Sequence, residues 1–254
     1  MIICRKYKYL FIEIPLTASW ALHHELCQNY KGQPILHKHA TYSEFRQHAT
    51  DEELSYFVFA TVRNPLDKIV STYFKLKEDQ KGLFSNDDSL SKGIIDYSDR
   101  KKFRYIKNHS IDFENYFRKY HKMPYSDMIN LSGRYLDYVI RFENIQEDFT
   151  TLLMILGIEQ IRPLPLTNKT PGKSKDFLAY YTPEIIPQAK RVCGAFMKRW
   201  SYQFPESWGS GKIPLVYDIV YKGLNKLRYF YTVYLRYNNA GYAKFLRKLK
   251  SKFL

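Results

Sequence analysis

Two short segments constrain the fold of this chain more than any other part of its sequence. Each reads as a buried strand that passes through Pro or Asn-Pro directly into a helix, over residues 9–20 and 57–73. Such a junction directs free backbone N–H groups and the positive end of a helix dipole at one spot, which suits a phosphate group. Two junctions of this kind indicate a ligand that carries phosphates at two places.

Strands alternating with helices predict an α/β fold, with a central and mainly parallel sheet that is flanked by helices. Strands are expected over 8–14, 56–62 and 138–142, and helices over 19–29, 65–77, 112–120 and 144–157, then from Pro183 onward. Asn64 is the predicted N-cap of the helix that begins at Pro65. Residues 78–108 are polar and indicate a long insertion that faces the substrate.

The chain is predicted to divide into an α/β domain, residues 1–211, and a helical extension, residues 212–254. The extension is aromatic and basic, because it holds ten Lys or Arg against one acid and so nine of the fifteen net positive charges. Such a helix can make peripheral contact with an anionic membrane, which is the expectation here. It can instead hold a lipid-linked or acidic glycan, or pack against the core through its aromatic side chains.

The net charge of +15 favours anionic partners. Nucleic acid is not expected among them, because the chain has no recognised nucleic-acid-binding motif. Its three cysteines are odd in number and far apart, so they predict neither a disulfide framework nor a metal site. With no signal-like segment and no long apolar run, the expected location is the cytoplasm or the inner face of the membrane.

The first junction reads Ile14-Pro-Leu-Thr-Ala-Ser-Trp20. The small side chains of Ala18 and Ser19 let a ligand approach the backbone, and the hydroxyls of Thr17 and Ser19 can donate to phosphate oxygens. A plain strand–helix turn also accounts for this pattern.

The second junction reads Val62-Arg-Asn-Pro-x-x-Lys-x-x-Ser71 and is more specific. Arg63 leaves the carboxyl end of a strand, where open α/β sheets bind their ligands, and its planar fork suits a phosphate. Ser71 follows about two helical turns later and can close on the same phosphate. The alternative is a structural Arg paired with a carboxylate, with Ser71 on the helix surface.

Together these motifs resemble the carbohydrate sulfotransferases of the membrane-associated type, which use 3′-phosphoadenosine-5′-phosphosulfate (PAPS). In that family the first loop, roughly Pro-Lys-Thr-Gly-(Gly/Ser)-Thr, binds the 5′-phosphosulfate, and Val-Arg-Asn-Pro-x-x-Arg-x-x-Ser binds the 3′-phosphate. Four further segments resemble the family in the right order: His39-Ala-Thr, Val139-Ile-Arg-Phe-Glu-Asn-Ile-x-x-Asp-Phe149, Asn168-Lys-Thr170, and the closing Tyr180-Tyr-Thr-Pro-Glu184 with Trp200-Ser-Tyr-Gln-Phe204.

The resemblance covers residues 7–208 and implies a three-layer fold like that of the P-loop NTPases. It implies that PAPS is bound, and adenosine 3′,5′-bisphosphate released, by Thr17, Ala18, Ser19, Trp20, Arg63, Ser71, Lys169 and Thr170.

One departure bears on activity. Leu16 stands where the family has a Lys that neutralises charge on the leaving phosphate, and losing such a contact typically costs about 10²–10³ in rate. Another cation is a candidate replacement: Arg5, Lys68, Lys75 or Lys169. Trp20 also replaces a small hydroxyl residue, unless a one-residue slip aligns it with a Trp that stacks on adenine in cytosolic relatives.

Sulfuryl transfer needs a base that takes the proton of the acceptor hydroxyl, and histidine suits this role. The resemblance favours His39, with neighbouring His37 as the second choice. The alternative is that His39 is a solvent-exposed loop histidine without a catalytic role. His23 and His24 are expected to be structural or surface residues, while Glu13 is a weaker candidate for facing the acceptor.

The expected activity is the transfer of a sulfonate group from PAPS to a glycan hydroxyl, on a bacterial surface polysaccharide or a lipid-linked sugar. The alternative is an impaired relative that binds nucleotide or acidic glycan, which Leu16 favours. Another phosphate-using transferase also fits the fold, because a fold alone does not fix chemistry. The acceptor sugar and the oligomeric state do not follow from the sequence.

Overall fold

The computed structural model describes residues 1–165, 170–211 and 213–236. In these ranges the chain forms one five-stranded sheet, with strands β1 Ile2–Cys4, β2 Tyr9–Ile12, β3 Gln33–Pro34, β4 Phe57–Val62 and β5 Tyr138–Arg141. The strand order is β3-β1-β2-β4-β5. Strands β2, β4 and β5 are parallel, whereas β1 pairs antiparallel with both β2 and β3. The predicted α/β class with a parallel centre is confirmed.

The described ranges also contain eleven α-helices and one π-helical segment, Tyr231–Arg236. The α-helices are α1 Ser19–Asn29, α2 Tyr42–Phe45, α3 Asp51–Leu54, α4 Pro65–Lys77, α5 Asp87–Ser91, α6 Tyr97–His109, α7 Phe113–Tyr120, α8 Ile129–Ser132, α9 Ile145–Ile155, α10 Ile186–Arg199 and α11 Leu215–Phe230.

The backbone divides into two compact units. In the described residues, the first unit comprises 1–62, 126–165 and 219–236, and it contains the whole sheet. Its core forms where α1 and α9 bury apolar side chains against Tyr9, Phe11 and Phe59 of the central strands. The rings of Phe11 and Phe59 are stacked with 5.1 Å between their centroids, because the two residues are paired in the parallel register.

The described residues of the second unit are 63–125, 170–211 and 213–218. Helix α4 is its centre, because Leu66, Ile69 and Val70 are all buried in a core to which α6, α7 and α10 also contribute. Two tyrosines bind backbone carbonyls across this core. The hydroxyl of Tyr73 donates to Ile111 O at 2.8 Å, and that of Tyr181 donates to Leu66 O at 3.0 Å. Their polar tips are thus satisfied although their rings are buried.

Local sequence signals located several helix ends correctly. Asn64 caps α4 by accepting the backbone N–H of Leu66 at 3.0 Å, and Thr41 forms the capping box with Glu44 at the start of α2. Gly157 follows α9 with φ of +67°, a conformation that favours glycine.

The long insertion predicted over residues 78–108 is not a loop, and its contact with substrate stays a prediction. Most of that stretch is helical. Its long helix α6 packs on α4 through the buried side chain of Ile106. Arg100 of α6 is also buried, and it binds Asp87 at 2.7 Å. The polar composition reflects an amphipathic helix with one apolar face, not an open loop. The helix predicted from Pro183 begins at Ile186, after a turn.

The predicted helical extension is confirmed from Leu215 to Arg236, and the rest of it, residues 237–254, lies outside the described residues. In the described parts of the chain, no helix is both long enough and apolar enough to cross a membrane. All three cysteines are free thiols.

Candidate active site

The first loop connects β2 to α1 in the first unit. Leu16 and Ala18 both have left-handed backbones, with φ of +64° and +60°. This conformation is uncommon for residues other than glycine, so the turn stores strain of the kind that clusters at functional sites. Ala18 is the N-cap of α1, and because alanine has no side-chain acceptor, it leaves the first-turn N–H groups of the helix uncapped by its own side chain.

Thr17 fastens this loop to the sheet. Its hydroxyl donates to the backbone carbonyl of Ile14 at 2.7 Å and also contacts the hydroxyl of Thr61 on β4. Both Thr17 and Thr61 are fully buried. The Thr17 hydroxyl, which the sequence suggested as a phosphate donor, is therefore engaged within the protein, and a ligand at this loop would meet backbone N–H groups instead.

Ser19 and Trp20 open α1. Ser19 is buried, whereas the Trp20 side chain is 45% exposed and its ring centroid lies 4.0 Å from that of His24. An exposed indole at a helix N-terminus offers a flat apolar surface to a ligand, as adenine stacking, the alternative that the sequence left open, would require.

The second junction gathers its polar groups within the second unit. Arg63 Nη2 donates to Ser71 Oγ at 2.9 Å, and Arg63 Nε donates to Asp67 Oδ2 at 2.8 Å. All three side chains are buried. The arrangement combines the two readings of the sequence: Arg63 is paired with a carboxylate, yet Ser71 lies beside the guanidinium and not on the helix surface.

Lys173 is a member of this cluster that the sequence analysis missed. Its ammonium contacts Oδ1 of Asp67, so one carboxylate is shared between two cations. Gly172 makes this approach possible, because its φ is +71° and a Cβ there would lie 3.2 Å from side-chain atoms of Phe74 in α4 and of Glu78, which directly follows α4. The Pro-Gly-Lys sequence that follows the Asn-Lys-Thr motif was the available signal.

The predicted nucleotide-binding segment Asn168-Lys-Thr170 falls largely outside the described residues. Lys169 lies outside the described residues, and Thr170, at the start of the next described range, is half-buried. Among the candidate replacement cations, Lys68 is buried on α4 and Lys75 is half-buried on the same helix. Arg5 instead binds Glu53 at 2.8 Å and is a surface ion pair.

His39 has the hydrogen-bonding geometry of a base. Its Nδ1 lies 2.8 Å from the backbone carbonyl oxygen of Glu13, which can only accept a hydrogen bond. Nδ1 therefore carries the proton of the neutral ring, and Nε2 keeps the lone pair that can take a proton. Burial lowers the pKa of His39 below its ordinary value of 6.5, and the Lys38 ammonium acts in the same direction.

Glu13 supports His39 through its backbone, a role that the sequence analysis did not anticipate. Its carboxylate is buried and accepts the Met1 ammonium at 2.6 Å and His23 at 3.1 Å. Burial raises the pKa of Glu13, but the Met1 ammonium and the contact with His23 outweigh it, and the pKa lies below its ordinary value. The weaker expectation that Glu13 faces an acceptor was wrong, since its carboxylate is enclosed.

His37 is a poorer candidate than His39. Its Nε2 lies 2.6 Å from a carboxylate oxygen of Glu44, and its Nδ1 lies 2.9 Å from the Lys38 carbonyl oxygen. Both ring nitrogens thus face acceptors of the protein itself, so the ring has no nitrogen left to accept a substrate proton.

Comparison with known proteins fixes the class. The model of a sulfotransferase family matches residues 1–193, which include both junctions, His39 and Lys173. The chain belongs to this sulfotransferase family. No curated protein and no solved structure matches it.

Proposed function

We propose that the chain transfers a sulfonate group from PAPS to a hydroxyl group of a glycan. The observation that carries this proposal is the buried hydrogen bond between Arg63 and Ser71 in a member of the sulfotransferase family. The nucleotide, when bound, supplies the activated sulfonate group.

The Arg63 cluster fits a phosphate group. It combines a guanidinium and an ammonium with a single carboxylate and a hydroxyl, so the four side chains have a net charge of +1. A guanidinium beside a hydroxyl offers the donors that a phosphate needs. Asp67 orients Arg63, and Lys173 offsets the negative charge that would repel an anion. Arg63, Ser71 and Lys173 would hold the 3′-phosphate, with Lys169 and Thr170 assigned there by resemblance.

The first loop fits a second phosphate through its backbone. Ala18 and Ser19 stand at the N-terminus of α1, where N–H groups and the helix dipole favour negative charge. The exposed ring of Trp20 is available to stack on the adenine ring of the nucleotide. In the proposed function Thr17 positions this loop through its contacts with Ile14 and Thr61.

His39 is the proposed base. The Glu13 carbonyl holds its ring by Nδ1, so that Nε2 accepts the proton of the acceptor hydroxyl. The lowered pKa keeps the ring neutral, and therefore able to accept, at physiological pH.

The acceptor follows from charge and from resemblance. A net charge of +15 suits an acidic or lipid-linked glycan, and a bacterial surface polysaccharide under assembly is the acceptor we propose. The three free thiols fit a reducing compartment such as the cytoplasm.

Transfer of labelled sulfur from PAPS to a panel of polysaccharides and lipid-linked oligosaccharides tests the proposal. The wild-type protein should label at least one glycan. Protein that is folded and binds the nucleotide but labels none of them would count against the glycan assignment.

A second candidate is an impaired relative that binds the nucleotide without efficient transfer, and Leu16 is the residue that favours it. Leu16→Lys discriminates between the two, because both side chains experience the same left-handed backbone and the change adds no new strain. A gain of about 10²–10³ in kcat would support the impaired relative. A gain below about tenfold would indicate that another cation already neutralises the charge on the leaving phosphate, as our leading proposal requires.

A further inference from the structure

One face of α11 is fixed to the first unit by polar contacts. Asn225 Oδ1 accepts from Ser126 Oγ at 2.6 Å and from Asn130 Nδ2 at 3.1 Å. One turn earlier, the Tyr221 hydroxyl donates to Asn130 Oδ1 at 3.2 Å, and one turn later the Tyr229 ring lies against Arg134. Residues spaced by four, 221, 225 and 229, thus define the packed face of the helix.

The opposite face of the same helix is apolar and exposed. Ile219, Leu227 and Phe230 are spaced by eight and three residues, which places them on one side, and Gly223 continues the row between them. Their exposed fractions are 59%, 66% and 53%. We call these three residues the apolar stripe. Single exposed apolar side chains are normal on a protein surface, but a row of large ones directed away from the packed face indicates an interaction surface.

Positive charge accompanies this stripe. Lys222 and Lys226 are exposed and lie one turn apart beside it. From Ile219 to the last residue the sequence has nine Lys or Arg and no Asp or Glu. Apolar side chains bordered by lysines, on a helix whose opposite face is held by polar contacts, match the requirements of a helix that lies in the plane of an anionic bilayer surface.

We propose that the apolar stripe of α11 binds an anionic lipid surface, with Ile219, Leu227 and Phe230 in the acyl boundary and the lysines among the headgroups. A second copy of the chain is a less suitable occupant, because stripe-to-stripe contact would bring Lys222 and Lys226 of both copies together. This inference goes beyond the proposed function and does not depend on it.

Co-sedimentation of the full chain with vesicles tests the proposal. Vesicles of phosphatidylcholine with phosphatidylglycerol should bind the wild-type protein, and phosphatidylcholine alone should bind it far less. The double variant Leu227→Gln/Phe230→Gln should bind at least about tenfold more weakly, because each large apolar side chain loses its burial in lipid. Glutamine is a good helix former, so circular dichroism should show α11 intact.

Met154→Gln/Ile155→Gln is the matched control. These side chains are also exposed, at 70% and 51%, but they belong to the end of α9 and not to α11. Vesicle binding that is equal in the stripe variant and the wild type would overturn the proposal. So would a wild-type dimer that the stripe variant converts to monomer without any vesicle binding, since the stripe would then be a self-association surface. Loss of binding in both double variants would also overturn it.

Discussion

His39 Nδ1 and the backbone carbonyl oxygen of Glu13 lie 2.8 Å apart, and this contact fixes which ring nitrogen of His39 can act as a base. Both residues follow from local structure: Glu13 extends from β2, and His39 has a left-handed backbone with φ of +67°. A main-chain acceptor cannot change its charge, so it orients the ring at every pH.

Replacing His39 with Asn should strongly slow sulfonate transfer without abolishing nucleotide binding. Asparagine tolerates the left-handed backbone but cannot act as a base, so the loss should be about 10²–10⁴-fold in kcat. His48→Asn is the control, because His48 is an exposed loop histidine. Steady-state kinetics and calorimetry on both variants check this, and a His39→Asn enzyme with wild-type kcat would remove His39 from the mechanism.

The pH profile of kcat/KM should reflect the lowered pKa of His39. A base works when it is deprotonated, so activity should be full near pH 7 and should decline only below the ordinary histidine value of 6.5. The acidic limb of this profile locates the pKa of the free enzyme. A limb centred above pH 7 would contradict burial as the dominant influence on His39.

Lys173→Met should weaken binding of adenosine 3′,5′-bisphosphate. The methionine retains much of the apolar stem but leaves the buried Asp67 carboxylate with less compensation, so the affinity should fall by about 3–30-fold. Lys175→Met is a matched control, since Lys175 is an exposed lysine two residues along the same segment. Asp67→Asn combined with Lys173→Met should restore part of the affinity, and equal affinity of the single variant and the wild type would separate Lys173 from the site.

His121 should make the folded protein sensitive to mild acid. Burial lowers the pKa of His121 to about 3, and its Nε2 has no hydrogen-bond partner among the described residues. The unfolded chain therefore takes up a proton below pH 6.5 that the folded chain does not, so stability is full above pH 6.5 and falls as the pH drops. The slope from this residue is about 1.4 kcal/mol per pH unit.

Unfolding by urea at pH 7 and pH 5 measures this effect. His121→Leu should reduce the difference in free energy of unfolding between the two pH values by about 2 kcal/mol. His109→Leu, at an exposed histidine of α6, should leave the difference unchanged. If the His121 variant kept the full wild-type pH dependence, other groups would have to account for the acid sensitivity.

The sequence was most informative where one local signal determines the backbone. Asn64-Pro65 fixed the start of α4, and its spacing to Ser71 correctly brought Arg63 and Ser71 together. Prediction from the sequence failed where contacts between distant parts of the chain determine the structure. The β1–β3 edge consists of strands too short for a clear pattern, and Lys173 reaches Asp67 only through a folded loop.

The network around Glu13 shows the same limit. A buried carboxylate beside a strand looked like a candidate for substrate contact, but its partners, Met1 and His23, are twelve and ten residues away. The important group for His39 is a carbonyl oxygen, which every residue has and which no sequence pattern reveals.

Calorimetric titration with adenosine 3′,5′-bisphosphate, with 5′-AMP in parallel, tests the central claim most directly. We predict micromolar binding that depends on the 3′-phosphate and falls by about 10–100-fold in Arg63→Ala, while Arg118→Ala, at an exposed arginine of α7, binds like the wild type. Folded protein that binds neither nucleotide, or that binds both equally and is insensitive to Arg63→Ala, would contradict a 3′-phosphate site at Arg63 and Ser71.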